Sequence, residues 1–165
     1  MKIETQIESK DFIKFTFKLI YRKLFFKALM IFGIFAIITS IPQFFMEHSF
    51  ASDPYAELFV GLFIVFILPV FIYFNAKKNY ETNKTLQEKV NYEFLEEKIL
   101  ISGESFNSEI SWDKIYRIEE SEEWILIFQN RQTANIILKS CIGENLNPLK
   151  TLISSKNVKT KFKKK

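Results

Sequence analysis

The stretch SWDKIYRIEESEEWILIFQ (residues 111–129) places four glutamates, Glu119, Glu120, Glu122 and Glu123, just ahead of an apolar run. In that run Trp124, Leu126 and Phe128 fall on one side and Ile125 and Ile127 on the other, the period of a β-strand. Read with it, the glutamates predict a solvated turn between strands, whose like charges protect a sheet edge from aggregation. Two other readings stay open. A Mg²⁺ or Ca²⁺ site is one, although the stretch lacks the alternating Asp frame and glycine of a calcium loop. Recognition of a basic partner is the other, including this chain's own tail or its N-terminal helix.

Working outward, the same period holds from residue 89. VNYEFLEEKILISG predicts two short strands with Ile99 and Ile101 on one face and a turn at Gly103. SFNSEISW sets Phe106, Ile110 and Trp112 against Asn107, Glu109 and Ser111. TANIILK places Ala134, Ile136 and Leu138 together after the turn QNRQ. Between Trp112 and Ser121, Ile115 and Ile118 face the core from a strand or an irregular helical turn. ENLNPLKTLISS predicts a closing helix with Leu146, Leu149, Leu152 and Ile153 on one face. Short strands in succession, separated by turn signals, predict an antiparallel meander. Residues 85–155 are therefore expected to form a small, curved, PH-like β-domain, followed by a basic, disordered tail over 156–165.

Upstream the composition changes. Residues 28–46 and 58–74 carry no charge and no polar face, and as helices each is about as long as the hydrocarbon core is thick. Two such segments in a 165-residue chain leave nothing to cover them. They predict a transmembrane hairpin over 24–76, and bulky PQFFMEHSF excludes signal cleavage. Residues 47–57 hold three acids and no Lys or Arg, whereas Arg22, Lys23, Lys27, Lys77, Lys78 and Lys84 flank the spans. The asymmetry predicts both termini in the cytoplasm. With Asp, Glu, Lys, Arg and His absent from the spans, the hairpin reads as an anchor, not a charged-substrate transporter. Gly33 and Gly61 allow close helix approach, and Pro42 and Pro69 allow kinks.

Residues 1–23 start with the alternation MKIETQIES, a strand that needs a sheet elsewhere. A helix follows, with Ser9 as its cap and Asp11 in its first turn. Its Lys10, Lys14, Lys18 and Arg22 recur every four residues as a basic, lipid-facing stripe. That helix either lies in the headgroup layer or extends the first span.

The layout and one short signature carry a resemblance. Ile110, Trp112 and Ile115 form I-x-W-x-x-I; Trp124, Leu126 and Phe128 follow on a strand; Ile136, Ile137 and Lys139 form I-I-x-K. Together these resemble bacterial membrane proteins of the YcxB-like type. The family shows proline before that lysine, where this chain has Leu138. The resemblance implies a PH-like C-terminal domain and transfers no catalytic residue.

Catalytic constellations are absent from the sequence. The one histidine, His48, is far from the β-domain, so a nucleophile–His pair is missing there. No zinc spacing or Gly-rich phosphate loop occurs. The lone Cys141 is expected to be buried or inert, and it fits a reducing compartment. The expectation is an α+β membrane protein without cofactor or metal: a two-helix hairpin plus a PH-like domain at the bacterial inner membrane. It is read as a non-enzymatic interaction or regulatory module, or alternatively an anionic-lipid sensor. Its partners are then the bilayer and an unidentified protein, not nucleic acid.

Overall fold

The structure is a computed structural model and describes residues 1–45, 53–131 and 133–162. His48 and most of the 47–57 linker lie outside the described residues. The chain divides into two units, Met1–Ile7 with Lys84–Lys165, and Glu8–Asn83. The N-terminal strand thus belongs with the C-terminal β-domain and is parted from the helix that follows it in sequence.

In the β-unit, β1 (Lys2–Thr5), β2 (Val90–Phe94), β3 (Lys98–Ser102) and β4 (Asn107–Ser111) form one antiparallel sheet in that order. The register pairs Ile3 with Tyr92 and Tyr92 with Ile101, and Phe94 with Ile99 and Ile99 with Ile110, so two apolar rows each cross three strands. The Met1 amino group donates to Phe94 O at 3.0 Å and extends the β1–β2 pairing by one bond.

A 3-10 turn over Trp112–Lys114 leads into the second sheet, which comprises β5 (Arg117–Glu120), β6 (Trp124–Phe128), β7 (Ala134–Leu138) and β8 (Thr160–Lys161). Its order is β7-β6-β5-β8. Two short helices, α5 (Lys139–Ile142) and α6 (Leu146–Ser154), intervene between β7 and β8. Leu149 and Ile153 of α6 are fully buried, as the helical spacing requires.

The main core joins Ile99, Ile110, Trp112, Ile115, Ile118, Ile125, Ile127 and Ile137 with α6. Trp112 also donates its indole N–H to Leu95 O at 3.1 Å, which answers its one polar group. The second sheet departs from the expected one-sided pattern. Ile125 and Ile127, not Trp124, Leu126 and Phe128, face this core. Trp124, Leu126, Phe128 and Ile136 are buried as well, outside that cluster. All five β6 residues are buried, so its alternation separates two apolar faces instead of an inside from an outside.

In the helical unit, α1 (Ser9–Arg22) ends at Lys23, whose extended backbone separates it from α2 (Leu24–Gln43). Ser9 is the first helical residue; Glu8 holds the cap position and makes no side-chain capping bond. The second apolar helix starts at Pro54, earlier than the charge-free run, because Asp53 accepts from Tyr55 N at 2.9 Å and proline suits the first helical position. It runs as α3 (Pro54–Leu62), a π-helical turn (Phe63–Ile67) and α4 (Leu68–Thr82). The π turn lies directly before Pro69, which lacks the N–H that would bond residue 65.

Gly33 and Gly61 bring α2 and α3 together. A Cβ on Gly61 would lie 2.8 Å from Gly33 O, and one on Gly33 would lie 2.8 Å from Ile64 Cγ2. The earlier helix start moves Glu57 out of the expected 47–57 linker, while residues 58–74 remain charge-free. Glu57 sits within the first turn of α3, where its carboxylate accepts from Thr39 Oγ1 and from Gln43 Nε2, the latter at 2.8 Å.

Candidate functional site

The glutamate cluster divides between strand and turn. Glu119 and Glu120 belong to β5, and only 121–123 make the turn to β6, closed by Ser121 N donating to Trp124 O at 2.8 Å. The solvated-turn expectation therefore fails for the first two acids. Glu119 retains 7 % exposure, and the Glu120 side chain 3 %. The reason is pairing. Carboxylates leave water only where cations and donors replace it, and the necessary cations come from three separate elements.

Both oxygens of Glu120 are held. Lys139 Nζ reaches Oε1 and Lys150 Nζ reaches Oε2, each at 2.7 Å. Lys139 also donates its backbone N–H to Glu123 O at 2.8 Å and reaches Ser121 O at 3.4 Å. The lysine of the I-I-x-K signature thus ties the start of α5 to both sides of the β5–β6 turn. Lys150, on α6 and thirty residues downstream of Glu120, completes the clasp, a partner that no local spacing reveals. Arg117 Nε meets Glu119 Oε1 at 2.8 Å, and its guanidinium lies 4.3 Å from the Phe128 ring centroid, a cation–π geometry.

Leu138, where a proline was expected from the resemblance, donates its N–H to Thr5 Oγ1 at 3.4 Å. The nearly buried Thr5 hydroxyl thereby links β1 to the end of β7, a bond proline cannot make.

The other edge of β5 is covered by the chain's own tail, whose basic composition predicts disorder. β8 pairs in parallel with β5, Ile118 opposite Thr160 and Glu119 opposite Lys161. Ile118 N donates to Lys159 O at 2.9 Å. Val158 and Phe162 pack against the core cluster, and Lys156 Nζ lies 5.9 Å from the Trp112 ring centroid. Residues 163–165 lie outside the described residues.

The remaining candidates resolve as follows. Lys10, Lys14, Lys18 and Arg22 are all exposed along α1. Lys10 and Lys14 share a groove of about 440 Å³ with Ser9, Ile13, Tyr73 and Lys77. Lys18 and Arg22 do not line it. Lys77, which sequence reasoning treated only as a flanking charge, is brought there because α1 packs against α4. Glu8, 2.9 Å from Lys10, hydrogen-bonds its ammonium and raises its pKa.

An open concavity on the first sheet is lined by Lys2, Asn91, Glu93, Leu100, Asn107 and Glu109, of which Lys2 pairs with Glu93 at 3.4 Å and Glu109 with Lys98 at 2.6 Å. Cys141 is exposed, contrary to the buried expectation, because α5 carries Ile142 rather than Cys141 inward. Among the described residues no three His, Cys, Asp or Glu side chains converge as metal ligands.

No curated protein and no solved structure matches the chain. A family model, that of the YcxB-like proteins, matches residues 94–153. The match runs from the end of β2 to the inner face of α6, and it includes Ile110, Trp112, the β5–β6 turn and Lys139. Residues 94–153 of this α+β chain therefore form a YcxB-like domain.

Proposed function

We propose that the chain is a membrane-anchored, non-catalytic interaction module. In this reading α2 and the α3–α4 helix cross the bilayer, and both termini and a PH-like β-domain face the cytoplasm of a bacterial cell. The observation that carries the reading is exposure: only 17 % and 11 % of the two apolar helix windows are buried. A core helix of a soluble protein would be buried, whereas lipid is a natural cover for Phe25, Ile31, Phe35, Phe45, Phe59 and Phe66. The Lys and Arg that flank the hairpin on one side support the orientation. Two small sheets closed by a C-terminal helix support the PH-like reading. Alkaline carbonate washing of membranes tests the anchor: the chain should remain in the pellet and leave it only with detergent. Crosslinking in cells tests the module, which requires a specific protein adduct on the β-domain.

A second reading, anionic-lipid sensing, is favoured by the groove of Lys10, Lys14, Lys77 and Tyr73. Each lysine near an anionic surface contributes about 1 kcal/mol. A peptide covering residues 8–23 should float with anionic vesicles and not with neutral ones. Equal flotation with both would remove this reading.

A further inference from the structure

We propose that the outer edge of β5 is a docking edge for an extended, lysine-bearing segment of a partner protein, and that residues 156–162 occupy it as an internal copy of that ligand. This rests on the reading of the β-domain as an interaction module and names its surface.

An exposed strand edge is a template for another strand, and adding a strand to a sheet edge is a general mode of peptide recognition. Here the cover consists of two paired residues in the parallel sense, the less stable pairing. Its grip comes from chemistry that a separate segment could reproduce. Val158 and Phe162, four residues apart, pack against the core from the edge. Lys150 Nζ stands 5.8 Å from the Phe162 ring centroid. Lys161 falls opposite Glu119 in the register, and Lys159 supplies the carbonyl that Ile118 N–H requires. The segment that fits is therefore aliphatic, Lys, x, Lys, aromatic, held extended. The family match ends at Ile153, so the edge lies within the YcxB-like domain and its cover does not. Tethering gives the internal copy an effective concentration of about millimolar. A partner segment must then outcompete it or meet a chain whose tail is drawn away.

The test uses the full chain in detergent and a labelled peptide of residues 156–162, read by fluorescence anisotropy. The V158A/F162A chain leaves the buried core cluster unaltered but loses the tail's two anchors. It should bind the peptide at least ~10-fold more tightly than the intact chain, while a scrambled peptide of equal charge should not bind. Equal binding to both chains, or equal binding of the scrambled peptide, would overturn the proposal. So would intact-chain dimers that the double variant loses, since they would assign the edge to a second copy.

Hydrogen exchange on the unaltered chain keeps the question decidable if the variant folds poorly. The Ile118 amide should exchange well before those of Ile125 and Ile127, because tail release alone frees it. Exchange of all three together would make the tail a fixed part of the fold and sink the idea. Either negative result leaves the membrane anchor, tested by extraction, untouched.

Discussion

Glu120 shows how much a single side chain organises. With 3 % exposure and an ammonium at 2.7 Å on each oxygen, it joins β5 to α5 and α6. Glu120→Gln leaves two lysines converging on a neutral amide. Breaking a buried pair costs about 3–5 kcal/mol. Since Lys139 and Lys150 keep 22 % and 23 % exposure, a loss of about 2–4 kcal/mol is expected in thermal or denaturant melts. Glu122, exposed in the same turn, is the control, and Glu122→Gln should change stability by less than about 0.5 kcal/mol.

Glu88 offers a test by pH. It accepts from Ser105 N–H at 2.9 Å and Ser105 Oγ at 2.5 Å, and these bonds hold its carboxyl below the usual range. A depressed folded pKa contributes stability above the unfolded value and loses it as pH falls through the folded one. Ser105→Ala should therefore lower stability at neutral pH, and the difference from the parent chain should shrink on acidification. A difference that grows in acid would contradict the assignment.

At the scale of elements, strand and helix existence was legible in the sequence wherever apolar period was strong. β2, β3, β4, β6, β7 and α6 follow the alternation and the 3.6 spacing directly. What was not legible depended on partners far along the chain. Glu119 and Glu120 read as a turn because four acids in five residues suggest water; Glu119 pairs with Arg117 two residues away, but the cations of Glu120 come from Lys139 and Lys150, beyond any local window. β6 misled for a related reason: alternation separates two faces but does not say that both are buried. Glu57 read as a loop residue because charge marked the span boundary, whereas the Asp53–Pro54 cap started the helix a turn earlier.

Leu138 stands where the resemblance implies proline, and its φ of −69° already suits proline. Leu138→Pro should fold with a cost of about 1 kcal/mol, as the bond to Thr5 is lost and no ladder bond is. Gly61→Val is expected to be far less tolerated. Its new Cβ meets Gly33 O at 2.8 Å, a backbone atom that cannot turn aside, so about 1–3 kcal/mol of overpacking follows. Thermal melts in detergent would register both.

For the whole molecule, the division of labour follows from burial. One unit has a closed apolar core with Glu119 and Glu120 paired to cations; the other leaves most of its apolar helix surface bare. That contrast underlies the proposal that a bilayer covers the second unit while the first lies in an aqueous compartment. The chain's single cysteine allows the central claim to be checked without a fusion, because Cys141 is exposed on the β-unit. A membrane-impermeant maleimide should leave Cys141 unlabelled in intact spheroplasts and label it in inside-out vesicles. In the Cys141→Ser, Ser52→Cys chain the pattern should reverse. Labelling of both positions from the same side would contradict a hairpin that crosses the membrane, and labelling of Cys141 from outside would contradict a cytoplasmic β-domain.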